Sequence, residues 1–288
     1  MNNVTIIGIG KVGSALAIEL NAAGFKIVTL IDKNLPRLRK IKPKCGCKDV
    51  RTTLSEDVIG KSDVIIVCLK DDNIQKYIKE ISKFNFKGKI LLHTSGLLTS
   101  DIFKPLKTAV INIGSFHPAQ TFSKLSFTNN KLLTGIYFGI EGGKSAVSFI
   151  KKAAGKLKSG YVIIPKNKKA LYHLSCVVSS NFLIANFYLL KMFSKSLKLT
   201  ESKFLEILKP LFYNTAKNVH SVGVSDSLTG PVSRGDTNTI NSHLNLLHGK
   251  YPKYVQYYKA TSRLLAEVAG VKNKGINLKK ISELLKNE

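Results

Sequence analysis

Val4-Thr5-Ile6-Ile7-Gly8-Ile9-Gly10-Lys11-Val12-Gly13 is the stretch from which the rest of the chain is read. Its first four residues form an apolar, mostly β-branched run without helical period, the pattern of a strand buried on both faces. The run closes on G-x-G-x-x-G. From Val12 the spacing turns helical through Leu16 and Leu20, and Gly24 sits where a helix should stop. A second apolar strand, Lys26 to Ile31, ends in Asp32, 19 residues after Gly13. Strand, glycine turn, helix, strand and acid in this order make the dinucleotide-binding fingerprint, which the glycines alone would not. Gly8 permits a tight turn, Gly10 lets backbone approach a pyrophosphate, and Gly13 lets the helix pack on the strand. The phosphates would rest on the helix N-terminus at Lys11, Val12 and Gly13, and Asp32 would take hydrogen bonds from a ribose. Asp32 favours NAD. Lys33, Arg37 and Arg39 follow at once and could hold a 2′-phosphate, so NADP stays open.

Outward from this unit the alternation continues. Asp63 to Leu69 reads as a strand, Ile74 to Ser82 as a helix, Lys89 to Leu92 and Ala109 to Ile113 as strands. Tyr137 to Ile140 and Tyr161 to Ile164 add two more around a helix over Ser145 to Leu157. This is an α/β domain, a Rossmann-type doubly wound and mostly parallel sheet over residues 1–165. After Pro165 the pattern becomes helical, which predicts an all-α domain over 166–288 with helices over Lys168 to Ser196, Glu201 to Leu208, Leu211 to Val222, Thr237 to Leu247, Pro252 to Ala269 and Leu278 to Leu285. A turn-rich loop, Ser225 to Asp236, interrupts them. Ala170 to Leu190 is 21 residues without a formal charge, long enough to cross a bilayer. Its His173, Ser175, Ser179, Ser180, Asn181 and Asn186 would be costly in lipid, so a buried helix of a helical domain is expected.

The chain has 288 residues, 44% of them hydrophobic, which excludes intrinsic disorder. Its net charge of +27 invites a nucleic-acid reading, but 40 of the 45 basic residues are Lys and they are spread along the chain. Phosphate and groove recognition lean on the guanidinium fork, so most of this charge is read as solvated surface and a nucleic-acid partner is not expected. The four cysteines make no disulfide framework or zinc pattern. With no secretory signal, a cytoplasmic protein without membrane attachment is expected.

In an open α/β sheet ligands bind beyond the carboxyl ends of the strands. There lie His93-Thr94-Ser95-Gly96 and Gly114-Ser115-Phe116-His117-Pro118. Hydride transfer to a carbonyl or imine needs a proton donor, and the reverse reaction needs a base; His117 is the candidate for both, with Ser95 to bind the substrate oxygen or orient the ring. His93 is expected to be structural. Leu69, after the third central strand, is expected at the cofactor. Arg234 could clamp a substrate carboxylate, with Asp236 capping the next helix. A small, anionic oxo or hydroxy acid or an imine is the expected substrate. A nucleotide-binding sensor without turnover is the alternative, because no acid follows His117 before Glu141.

The serine and imidazole after successive strands resemble prephenate and 3-hydroxyacyl-CoA dehydrogenases, in which the His is the acid/base. A wider resemblance rests on Gly8-x-Gly10-x-Val12-Gly13, His93-Thr94-Ser95-Gly96, Gly114 through Phe122, Tyr172-His173 with Asn181, and Thr229-Gly230-Pro231-Val232-Ser233-Arg234-Gly235-Asp236. These motifs resemble a family that joins a Rossmann-like domain to a C-terminal helical domain of unknown function, within the 6-phosphogluconate dehydrogenase-like superfamily and related to pyrroline-5-carboxylate reductases and F420-dependent NADP reductases. The resemblance implies NAD(P) binding, an oxidoreductase, and a 6-phosphogluconate dehydrogenase-like helical domain that serves a homodimer. In 3-hydroxyisobutyrate-type dehydrogenases a Lys and an Asn on the corresponding helix hold the substrate, which places His173 and Asn181 in the substrate pocket here.

Overall fold

The computed structural model describes residues 2–106, 112–123, 131–272 and 278–286. They form two compact units, one running to Phe187 and one starting at Tyr188.

The first unit is built on β1 (Asn3–Ile7), β2 (Lys26–Ile31), β3 (Asp49–Arg51), β4 (Val64–Val67), β5 (Ile90–His93), β6 (Asn112–Pro118), β7 (Tyr137–Gly142) and β8 (Gly160–Ile163). They make one eight-stranded sheet in the order β3-β2-β1-β4-β5-β6-β7-β8. The six strands from β3 to β6 run parallel, and β7 turns antiparallel to β6 with β8 parallel beside it. Strand order reverses between β1 and β4, which opens a crevice above their carboxyl ends.

The sheet is covered by α1 (Lys11–Ala22), α2 (Leu35–Ile41), α3 (Glu56–Lys61), α4 (Asp71–Ile81) and α5 (Lys144–Lys156). Alternation along the strands feeds two cores. Val4, Ile6, Leu30, Ile66, Leu92 and Phe116 pack with Leu16 and Leu20 of α1 and Phe149 and Ile150 of α5. Ile7, Ile31, Ile65, Val67 and Leu91 pack with Ile74, Ile78 and Ile81 of α4. The residues of α4 sit four and seven apart, the stripe of an amphipathic helix. Both faces of the central strands are thus buried, as a continuous apolar run requires.

Three elements of the first unit escape the sequence reading: α2, β3 and α3 are short and lie in the polar stretch after Asp32. Asn34 caps α2 by accepting from the Arg37 N–H at 2.9 Å. Ala109 to Ile111, expected as strand, lie outside the described residues. The strand that follows does not end at Ile113 but continues to Pro118, so His117 stands on β6 rather than in a turn after it. Glycine and proline there suggest a loop, yet Gly114 pairs with Gly142 of β7, where side chains would collide, and Pro118 closes the ladder.

The second unit contains the end of α6 (Lys169–Ser196), then α7 (Glu201–Ser227), α8 (Pro231–Arg234), α9 (Thr237–Lys250), α10 (Val255–Lys272) and α11 (Leu278–Leu284). Its core joins Val232, Ile240, Leu244, Leu247, Val255, Ala269 and Ile281. The expected break at Pro210 is absent: α7 passes through it and breaks instead at Gly223, whose φ is 82°. Thr200 caps α7 and Asp236 caps α9, each accepting from a backbone N–H three residues on.

The expectation that Ala170 to Leu190 is a buried helix is not met. The segment is helical, but Leu171, Leu174, Val178, Phe182 and Ile184 are about half exposed or more. Its apolar residues stand on all sides of the helix, so no single packing face can cover them. By length and composition it could cross a membrane, alone among the described helices.

Candidate active site

The three glycines of the first loop answer three different demands. Gly8 adopts φ +87°, and a Cβ there would come within 2.7 Å of the Cys68 carbonyl oxygen. Gly13 lies against Gly8, so that a Cβ would run into its carbonyl oxygen. At Gly10 no atom lies within 4 Å of where a Cβ would be. Fold geometry therefore dictates the first two, and nothing among the described residues dictates the third. Gly10 is also the N-cap of α1, and no side chain bonds to the free N–H groups of that helix start. An uncapped helix start beside a glycine with open space is a site for an anion.

Two cavities flank this loop. One, of about 960 Å³, is bordered by Gly10, Lys11, Val12, Arg37, Lys40, Lys44, Leu69, Thr94 and Ser95. The other, of about 330 Å³, is bordered by Gly8, Asp32, Lys33, Leu69, Asn73 and Tyr77. Tyr77 borders the second cavity, and its buried hydroxyl has no hydrogen-bond partner among the described residues, an unusual state for a phenol. All eight residues expected at the cofactor, Gly8, Gly10, Lys11, Val12, Gly13, Asp32, Lys33 and Leu69, sit at this loop or on its cavity walls. An uncapped helix start, an unfilled position at Gly10 and the cations around it together fit a phosphorylated dinucleotide.

Asp32 does more than await a ribose. Its carboxylate accepts from the Ile9 N–H at 2.6 Å and the Asn34 N–H at 2.7 Å, and Arg37 stands 3.5 Å away. It pins the glycine loop to the end of β2.

At the ends of β5 and β6 the expected pairing of Ser95 with His117 is replaced by another arrangement. The Ser95 hydroxyl donates to Asp71 at 2.8 Å and accepts from the N–H groups of Leu97 and Leu98. Its donor and acceptors are thus committed to holding the turn after β5. The hydroxyl on His117 belongs to Tyr172, 2.9 Å from Nδ1. Sequence reading assigned no role to Tyr172, nor to Lys169, the first residue of α6. Lys169 is buried and bonds through Nζ to the Ser95 carbonyl and the Ser115 hydroxyl, tying β5 and β6 together. Burial brings its ammonium down to about 8, against the pull of Glu141 and Asp71. Its only signal in the sequence is its place at the edge of a long uncharged run.

His117 is pushed down to about 4, by burial first and then by the charge of Lys169 and by His173. Its imidazole is therefore neutral at physiological pH. His93 is fully buried and goes down to about 3, burial leading; its Nδ1 accepts from the Ser95 N–H.

A further cavity of about 330 Å³ is bordered by His117, Gln120, Thr121, His173, Cys176, Ser180 and Asn181. The structure so brings His117, His173 and Asn181 onto one cavity and leaves Ser95 on the wall of the larger one beside the glycine loop. The rings of His117 and His173 lie 6.2 Å apart. Arg234 is exposed at the end of α8 in the second unit, while Asp236 caps α9 through bonds to the Thr239 N–H and hydroxyl. Cys45, Cys47, Cys68 and Cys176 are all free thiols.

Residues 3–95 match the family described as NADP oxidoreductase, coenzyme F420-dependent. Residues 136–265 match a domain of unknown function, DUF2520. No curated protein matches. Among solved structures, the protein TM1727 from Thermotoga maritima is 29% identical with a TM-score of 0.72, over 93% of this chain and 99% of that one. A Bacteroides fragilis protein described as an NADP oxidoreductase is 25% identical with a TM-score of 0.73, over 92% of this chain and 98% of that one. A pyrroline-5-carboxylate reductase from Coxiella burnetii shares the fold at 13% identity, TM-score 0.60, over 99% of both chains. The chain thus joins, on a Rossmann-type fold, an N-terminal domain that matches the coenzyme F420-dependent NADP oxidoreductase family to a helical C-terminal domain that matches DUF2520.

Proposed function

We propose that the protein transfers hydride between NADP(H) and a small polar carbonyl or imine compound, an oxo or hydroxy acid or an imine, with His117 as the group that handles the proton. The observation that carries this reading is the neutral, cavity-lining imidazole of His117 in the same unit as a loop fitted to a phosphorylated dinucleotide. When bound, the nicotinamide would supply the hydride. The protein's own part is to hold the phosphates at Gly10 and the start of α1, and to present the imidazole to the reacting bond. A neutral imidazole can give a hydrogen bond to a carbonyl oxygen or imine nitrogen and steady the charge that develops there, and the nitrogen that carries no proton can take one from a hydroxyl in reverse. NADP is favoured over NAD because Arg37, Lys40 and Lys44 border the larger cavity. The Asp32 carboxylate, which would repel a 2′-phosphate, is occupied by two N–H groups and faced by Arg37. The apolar residues that α6 leaves exposed, Leu171, Leu174, Val178 and Phe182, are assigned in this reading to a second copy of the chain.

The test is a panel of oxo acids, aldehydes and cyclic imines with NADPH, followed by nicotinamide absorbance. A substrate is expected, and His117→Ala should then lower turnover about 100-fold or more, within the usual range for acid–base groups, while leaving NADPH affinity within about twofold. Turnover that survives His117→Ala would overturn the role of this residue. A complete absence of NADPH oxidation across the panel would favour a sensor that binds without reacting.

A further inference from the structure

His117 and Gly139 stand directly opposite each other in the antiparallel pairing of β6 and β7. Side chains of such a pair project from the same face of the sheet, so any larger residue at 139 would fill the space beside the imidazole. That space is taken by Tyr172, reaching in from α6: a Cβ on Gly139 would lie 2.5 Å from its hydroxyl oxygen and 2.7 Å from Cε1. The Tyr172 and His117 rings meet edge to face at 5.5 Å, with the hydroxyl 2.9 Å from Nδ1. On the other flank a Cβ at Gly96 would lie 2.9 Å from His117 Nε2 and 2.7 Å from His173 Cδ2. Two glycines therefore make the slot in which three rings gather.

The direction of the Tyr172 hydrogen bond follows from what surrounds its oxygen. The hydroxyl keeps its own proton, because burial and the nearby Cys176 thiol push it up. Two acceptors lie within its reach, an imidazole nitrogen and the weakly accepting Cys176 sulfur, and the nitrogen is much the better. A hydroxyl donating to Nδ1 leaves the one proton of a neutral imidazole on Nε2, the nitrogen toward Gly96 and His173. The groups facing the imidazole are Tyr172, His173 and the charge of Lys169, and none of them is a carboxylate that would stabilise the protonated ring.

We propose that Tyr172 is a positioning residue for His117: it donates to Nδ1, fixes the tautomer that carries its proton on Nε2, and reaches the ring because residue 139 is glycine. Resting on the reading of His117 as the proton-handling group, this makes the imidazole a preset donor toward substrate in the reducing direction.

The test reads the tautomer itself and needs no substrate. Long-range proton–nitrogen NMR on the nitrogen-labelled full chain at pH 7, with His117 assigned by its loss in His117→Ala, should show the Nε2–H form. In Tyr172→Phe, which keeps the ring and should keep the fold, that form should give way to a mixture, and turnover should fall about tenfold with KM unchanged. Gly139→Ala should produce the same mixture with the tyrosine still in place. An Nδ1–H form in the wild type, or an unchanged tautomer in Tyr172→Phe, would overturn the inference. A shifted tautomer together with turnover that survives His117→Ala would uphold it while removing the proposed reaction.

Discussion

Between pH 7 and pH 4 the protein is expected to lose on the order of 6 kcal/mol of folding stability through two histidines, His93 and His117, about 3 kcal/mol from each. Both are neutral in the fold, pushed down to about 3 and about 4, whereas in the unfolded chain they bind a proton near the usual 6.5. Below pH 6.5 the unfolded state therefore holds more protons than the native state, and stability falls as pH falls. The loss begins near 6.5 and levels off once each folded value is passed. His93 has the stronger physical case, because it is fully buried, packs against Phe103 and has no hydrogen-bond partner at Nε2 among the described residues. Urea unfolding at pH 7, 5.5 and 4 measures the slope directly. His93→Phe should flatten it by about half, since that ring cannot be protonated. Equal slopes in wild type and variant would show that the buried imidazole is not the source.

Gly13→Ala is expected to destabilise the first unit by at least about 3 kcal/mol, the scale of severe overpacking in a core. The added methyl would overlap the Gly8 carbonyl oxygen and come within 3.1 Å of the Gly8 carbonyl carbon and 3.2 Å of Cys68 Cβ. None of these neighbours can yield: Gly8 is held by its own N–H to the Ile31 carbonyl at 2.7 Å and by a backbone turn that only glycine adopts cheaply. The helix would have to lift from the strand. Thermal melts of Gly13→Ala and Gly10→Ala side by side show the contrast, because Gly10 has an ordinary φ of −70° and open space around it. The second variant should melt within a degree or two of the wild type. Similar melting of both would mean that Gly13 does not pack against Gly8 and Cys68.

The sheet could be read from the sequence wherever a strand is buried on both faces, because Val4 to Ile7 and Val64 to Val67 offer no other use for their residues. Elements decided by pairing partners could not. β6 runs through Gly114 because β7 places Gly142 opposite, and its last residue Pro118 pairs with Phe138; no local signal in 112–118 reveals that. The exposure of α6 was equally hidden: an uncharged run tells that water is avoided, not what does the covering. At the site, His117 and the glycines stood out by residue type, since few side chains carry proton chemistry or open backbone space. Ser95 was assigned to chemistry on the same ground, but its hydroxyl is used up by Asp71 and two N–H groups. Tyr172 and Lys169 lie more than 50 residues from their partners, at 55 and 54 positions for His117 and Ser115, and only the fold joins them.

Calorimetric titration of NADPH and NADH into the wild type and Gly10→Ala tests most directly whether the open loop is a dinucleotide site. Saturable binding of NADPH, tighter than NADH, is predicted for the wild type. Gly10→Ala should weaken it by at least about tenfold at unchanged melting temperature, because its methyl occupies space that only the pyrophosphate needs. Binding of neither nucleotide to the wild type, or NADPH affinity untouched by Gly10→Ala, would contradict the account.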